Sequence, residues 1–468
     1  MDLWADYKDN HQAPLVGTNG FGRVPRGSRR QSERDVLRQL RTWLLEEYVA
    51  PYCRTLASTR IFRHCYWIDA LGGVTRAQLT VTPIEKGEEG GASQDGTSQG
   101  GASQPSTVHE RRRRKGVPQA LYEYPPVLQP VIKLSRELAL ESRPITLHSL
   151  FLAGGSSNAR RHSESRTTQD ASNNKGPGQE APPTLPKESA ILPQSWLETA
   201  SHILPIIEQS PAIFLLNPLT PTLFAEHDLT SLYRRATPTE LCLLLPHKQI
   251  IAHLQATRTT SQTLATTLTT LLRTDRWKTL VPEDTEKNPI HAEQHEQAIA
   301  GFIALLSTSL KRHFAVPIQA IPIPLLIGPA TVENAPYTLL FATKRQDSLF
   351  NMNDAICRYR RRLEEESYVG VLGEEWFRSQ QQIHSDQARQ QLAQHILLQG
   401  RAQRARRWPD LRQQLLLTYF GQFLMRDYDI SIQQLLSSGE VHCSWRKAPQ
   451  TEEPDRVPGN EDTLIWRS

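Results

Sequence analysis

The sequence predicts an α/β fold, one sheet with helices on both faces, followed by a small C-terminal module. Three observations carry that expectation. AIFLL at 212–216 and the run from Glu240 to Leu245 are apolar stretches of strand length, ended by Asn217-Pro218 and by Pro246, and apolar strands indicate a sheet covered on both sides. Segments with apolar residues at helical spacing lie between and around them, and alternating strands and helices give a layered α/β architecture. A hydrophobic content of 38% and a mean hydropathy of -0.49 place the chain among soluble proteins, and no apolar run approaches the roughly 20 residues that a membrane span needs.

Taken in order, residues 1–31 are polar and glycine-bearing and read as an N-terminal arm. Ser32 opens a helix through Val36, Leu37, Leu40, Trp43, Leu44 and Tyr48, which Pro51 is expected to interrupt. A short helical piece leads to a strand from Arg63 to Asp69 and a glycine turn, with Leu79 to Val81 as a further short strand. Residues 84–118 repeat GGASQ at 90–94 and 100–104 ahead of the basic run Arg111 to Lys115, and read as a disordered insertion. ITLHSLFLA supplies another strand before a second insertion, 154–187, rich in Ser, Asn, Gly and Pro.

A helix over 196–209 precedes the strand at 212, Asp228 caps a short helix from Leu229 to Arg235, and helical periodicity returns over 259–274 and 293–313. IQAIPIPLLI at 318–327 and YTLLFAT at 337–343 predict an antiparallel hairpin at one edge of the sheet. The helix 348–367, bearing RYRRR, completes a domain over 32–370. Residues 371–408 read as a helical linker ending in RAQRARR. Residues 409–468 read as a winged-helix-like module of two apolar helical segments, Leu411 to Leu424 and Ile430 to Leu436, and two strand-like pieces, EVHCSWR and DTLIWRS. No separate recognition helix fits between Ser438 and Val441.

The five cysteines are scattered without a C-x-x-C pair, which argues against a zinc ribbon and a disulfide framework. Reduced thiols, and an N-terminus, MDLWADYKDN, without a basic then apolar leader, predict a cytoplasmic protein. A formal net charge of +5 is mild for 468 residues, so any affinity for nucleic acid must come from local clusters.

WLLEEYVAPYCRTL followed by FRHCYWIDALGG resembles the N-terminal block of the three-Cys-motif partner protein family, whose strand and turn read roughly Tyr-Ile-Asp-Leu-Phe-Ala-Gly-Pro-Gly. PAIFLLNPLT is similar to that family's strand ending in Asp-Pro-Phe-Gly, and YTLLFATKRQDSLFNMNDAICR to its Tyr-Tyr-Leu-Ile-Phe-Ala-Thr block and the helix after it. The resemblance covers about 33–83 and 195–367, and the C-terminal module loosely. It implies a Rossmann-like, methyltransferase-type sheet, S-adenosylmethionine as cofactor, and a separate three-Cys-motif protein as partner.

Under that resemblance Asp69, Gly72 and Gly73 would hold the cofactor. A glycine turn lets backbone N–H groups approach a ligand, and an acid at a strand end accepts bonds from it; a plain structural corner is the alternative. Thr75 stands where the family has its last glycine, and the strand ending FLAGG brings no carboxylate for ribose hydroxyls. Asn217 and Pro218 stand where amino-methyltransferases orient an acceptor amine, with Leu219 in the aromatic position and Phe224 several residues on; an Asn-Pro turn closing a buried strand is the alternative. His291, Glu293 and His295 form H-x-E-x-H rather than a zincin H-E-x-x-H.

Arg358, Arg361 and Arg362, and Arg404 and Arg407, are candidate phosphate contacts, with ion pairing to Glu364 to Glu366 as the alternative for the first three. Trp408 and Trp445 lie near arginines and suit either base stacking or a small core. The function expected is a methyltransferase-like protein acting on or beside nucleic acid, with a non-catalytic scaffold for nucleic acid or a protein partner as the alternative. A metal-dependent nuclease has only scattered carboxylates in its favour.

Overall fold

The computed structural model describes residues 33–72, 129–152, 189–192, 194–220, 222–259, 262–281, 290–328, 331–368, 374–446 and 456–467. The expected arm, both low-complexity insertions, the strand at Leu79 to Val81, Gly73 and Thr75 lie outside these residues. So does the side chain of His291.

Helix α1 (Glu33–Trp43) passes through a π-helical turn, Leu44–Val49, into α2 (Ala50–Ser58) without a break. Pro51 therefore does not interrupt the helix. Ala50 N–H bonds to Leu45 O in the wider π register, and Pro51, which lacks an N–H, stands where that widened register passes into α2. Leu44, Leu45, Tyr48 and Val49 are buried and hold the π turn in place.

The chain continues through β1 (His64–Ala70), α3 (Gln129–Ala139), β2 (Thr146–Leu152), β3 (Ser189–Leu192), α4 (Trp196–Ile206), β4 (Ala212–Leu216), α5 (Glu226–Tyr233), β5 (Thr239–Pro246), α6 (His247–Thr259), α7 (Gln262–Leu272), α8 (Ile290–Lys311), β6 (Gln319–Gly328), β7 (Thr331–Thr343) and α9 (Gln346–Tyr368). The sequence pattern did not single out α3, β3 or α6. Asp228 is not the residue that precedes α5. It lies inside the first turn, where its Oδ2 accepts the Ala225 N–H at 2.7 Å.

The seven strands run in the order β3-β2-β1-β4-β5-β7-β6. β1 to β5 are parallel, β7 runs antiparallel to β5, and β6 pairs antiparallel with β7 as the edge strand, which matches the expected hairpin. Pro322 and Pro324 interrupt the ladder of β6 with a shift in register between them.

Alternation along each strand sends side chains to two apolar layers, making an α/β sandwich. Cys65, Trp67, Ile213, Leu215, Cys242, Leu244 and Phe341 pack with α1, α2, α3 and α9. Ile68, Phe214, Leu216, Leu241, Leu243 and Leu340 pack with α4 to α8.

Beyond the sheet come α10 (Glu374–Gln403), α11 (Trp408–Thr418), α12 (Met425–Ser437) and an antiparallel pair, β8 (Val441–Ser444) and β9 (Thr463–Trp466). Gly439, at φ 73°, ends α12 and turns the chain toward β8. Leu392 and Ile396 of α10, the expected linker, are buried with Trp408, Leu415, Tyr428, Ile432 and Leu464 in the same cluster as Met352 and Ile356 of α9. The module thus shares its core with one helical layer of the sheet.

Asn353 fastens that seam, donating from Nδ2 to Phe423 O at 2.8 Å and accepting the Gly421 N–H at 2.8 Å. Among the described residues no helix is long and apolar enough to cross a membrane.

Candidate functional site

Strand order reverses between β1 and β4, and open α/β sheets take ligands outside the carboxyl ends of strands at such a switch point. Asp69 is opposite Leu215 and Ala70 opposite Leu216, so Leu71 and Gly72 on one strand and Asn217 and Pro218 on the other leave the sheet side by side. The sequence-predicted acid and amide therefore meet at one end of adjacent strands.

The Asp69 side chain is fully buried and held by Arg41 of α1. Arg41 Nε donates to Oδ2 at 2.5 Å and Nη2 to Oδ1 at 3.1 Å, the two-point geometry that suits guanidinium and carboxylate. The same Nη2 donates to Gly72 O at 2.8 Å, and Leu71 N–H donates to Asp69 Oδ1 at 3.1 Å. Arg41 thus fixes both the acid and the turn behind it. Gly72 has φ 69°, a conformation that side chains with a Cβ resist, so glycine is favoured there.

Asn217 is held from the other helical layer. Its Oδ1 accepts the Leu219 N–H at 2.9 Å, and its Nδ2 donates to Thr220 Oγ1 at 2.7 Å and to Gln249 Oε1 of α6 at 3.1 Å. Both amide hydrogens are spent. One lone pair on Oδ1 is left to accept a hydrogen bond.

Pro218 O accepts the Phe224 N–H at 2.8 Å, closing the turn, and His253 Nε2 is 2.8 Å from Leu219 O. Leu219 and Phe224 are both buried in the layer formed by α4 to α8, so neither offers a face to a flipped base. β2 brings no carboxylate to this end through Leu152. This end of the sheet thus offers a glycine turn at Gly72, an acid already engaged, and no carboxylate on β2 among the described residues.

The candidate phosphate contacts divide. Arg362 donates from Nη1 to Glu46 Oε2 at 2.8 Å and from Nη2 to Glu47 Oε1 at 3.1 Å, so it bridges α9 to the π turn instead of pairing with Glu364 to Glu366. Arg358 and Arg361 line a hollow of about 290 Å³ with Arg426. Arg404 and Arg407 line a second, of about 300 Å³, with Arg406.

Trp408 is not free to stack on a base. It is fully buried, and its Nε1 donates to Asp429 Oδ1 at 3.1 Å. Trp445 is half-buried with the Arg456 guanidinium 5.0 Å from its ring centre.

Sequence reasoning passed over Glu240, a carboxyl at the amino end of β5 among apolar neighbours. It is fully buried under α2 and α9, and Ser348 Oγ donates to its Oε1 at 2.9 Å. Burial pushes its pKa up to about 7, against the opposing pull of the neighbouring Thr343, Ser348 and Tyr48 hydroxyls. Burial and the nearby Glu240 also raise the Tyr48 and Tyr52 hydroxyls well above their ordinary value. This cluster lies at the end of the sheet away from the switch point. The signal was present as the one charged residue in TELCLLLP.

Compared with protein-family models, curated proteins and solved structures, the chain matches none.

Proposed function

We propose that this chain is a methyltransferase-like protein of the three-Cys-motif partner type, binding S-adenosylmethionine at the carboxyl ends of β1 and β4 and acting on or beside nucleic acid. The observation that carries this reading is the meeting of Asp69, Gly72 and Asn217 at the reversal of strand order. The order 3-2-1-4-5-7-6 with β7 alone reversed supports a methyltransferase-type sheet. Three helices followed by the β8–β9 pair support the winged-helix-like reading of the module, with α12 as the helix ahead of the wing.

When bound, S-adenosylmethionine supplies the methyl group. Arg41 and Asp69 hold the turn after β1, and Gly72 lets the ligand approach the backbone. Asn217 Oδ1 accepts a hydrogen from the acceptor amine, and Pro218 stiffens the turn that presents it. A thermal-shift titration with S-adenosylmethionine tests this, since a ligand of the folded state raises the unfolding temperature. A rise that Gly72→Val removes is expected. A flat response at millimolar ligand would sink the cofactor reading.

The second reading, a non-catalytic scaffold for nucleic acid or a protein partner, draws support from the bonds that occupy Asp69 and Asn217 and from the burial of Leu219 and Phe224. Co-purification with a co-expressed three-Cys-motif protein tests the partner under either reading.

A further inference from the structure

The basic run on α9 is divided by direction. Successive helical residues are turned by about 100°, so residues three apart share a side. Arg358 and Arg361 face the start of α12, whereas Arg362 reaches Glu46 and Glu47, and Arg360 donates to Gly421 O at 3.1 Å. Where α9 meets α12 the hollow of about 290 Å³ is lined by Asp354, Arg358, Arg361, Leu424 and Arg426.

Among the described residues Arg361 and Arg426 make no side-chain hydrogen bond, and Arg361 is attracted to the Glu364 carboxylate one helical turn along α9. Arg358 stands 3.7 Å from Asp354 and 3.8 Å from Glu47, beyond hydrogen-bond reach of either. Asp354 is the one carboxylate of the lining, and its Oδ1 is taken by the Met425 N–H at 2.8 Å and by Asn353 Nδ2 at 3.1 Å. Within the lining, three guanidinium groups face one engaged carboxylate, with Glu47, Glu364 and Asp427 close by outside it. Its floor is fixed by the seam between two packed helices.

The geometry points to a seat for one phosphodiester group of a nucleic-acid backbone in this hollow, with Arg361 and Arg426 as the main donors and Arg358 as the third. Guanidinium forks match phosphate oxygens, and such contacts position a nucleic acid without reading its sequence. No aromatic ring lines the hollow to hold the base of a free nucleotide. A polyanion also accounts for the second arginine hollow. Arg407 adjoins Trp408, whose indole bonds Asp429, one helical turn along α12 from Arg426. The second hollow, on the end of α10 and on α11, is thus tied to α12 of the first through the Trp408–Asp429 bond.

The seat rests on the nucleic-acid part of the proposed function and is independent of the cofactor. The test is fluorescence anisotropy of a labelled DNA duplex with the full chain from about 50 to about 200 mM salt. The wild type is compared with Arg361→Gln/Arg426→Gln and with Arg276→Gln/Lys278→Gln, a control that removes the same two charges at exposed positions flanking Trp277 in the other helical layer. The double variant should bind about tenfold more weakly at low salt, with a log–log salt slope shallower by about 1 to 2, and the control should match the wild type.

Equal binding by the double variant overturns the seat and leaves the nucleic-acid reading standing. Absence of wild-type binding to both duplex and single strand overturns that reading and the seat with it. Full competition by low-millimolar inorganic phosphate reassigns the hollow to a free anion and also overturns the seat. Should the double variant unfold, Arg426→Gln alone, at an exposed position, is held to the same expectation with a smaller loss.

Discussion

Replacing Glu240 by Gln should change how the stability of this protein responds to pH. In the folded chain the carboxyl titrates near 7, against 4.5 when unperturbed, because burial penalises its charged form. Between those values the folded state keeps a proton that the unfolded chain has released, so stability falls as pH rises from about 4.5 to about 7. The gap corresponds to roughly 3 kcal/mol, present below the unfolded value and lost above the folded one. Glutamine keeps an oxygen for the Ser348 hydroxyl and never ionises.

Chemical denaturation of both proteins between pH 4.5 and pH 8 isolates the effect, since every other titrating group cancels in the difference. The variant should gain about 3 kcal/mol on the wild type across that range. A difference that stays constant with pH would refute the claim that the carboxyl is buried and displaced.

Three further outcomes are expected. Arg41→Ala leaves the buried Asp69 carboxylate without its cation and should cost about 3 kcal/mol in urea unfolding at neutral pH, whereas Arg41→Lys should recover part of it. Gly72→Ala imposes a Cβ at φ 69° and should lower stability by about 1 to 2 kcal/mol in the same assay. Gly400→Ala would drive a methyl group into the Trp466 ring, whose Nε1 donates to Ala405 O at 2.6 Å, and should cost about 1 to 3 kcal/mol with a shift in tryptophan fluorescence.

What could be read in advance follows from the range of the forces involved. The strands at 212–216 and 240–245 declare themselves by unbroken apolar character, and the hairpin of β6 and β7 by two strand-like runs in close succession. β3 has four residues, too short to show a period, and α6 starts on the residue after β5 with no loop to announce it.

At the candidate site Asp69, Gly72 and Asn217 were legible because strand ends and glycine turns are local features. Arg41 was not, since it lies 28 residues before Asp69 on a helix whose visible signal is its apolar stripe. The same limit explains the arginines of α9. Composition reveals a basic run, but only the packing of the π turn and α12 decides that Arg362 is held by Glu46 and Glu47 while Arg361 lines a hollow.

The margins of the seven-stranded sheet carry a last consequence. One is β6, where two prolines lacking N–H groups stand two residues apart; the other is β3, four residues long. A foreign strand seeking to extend the ladder would find missing rungs on one flank and too few on the other. Among the described residues, runaway stacking of copies edge to edge is discouraged by the same economy.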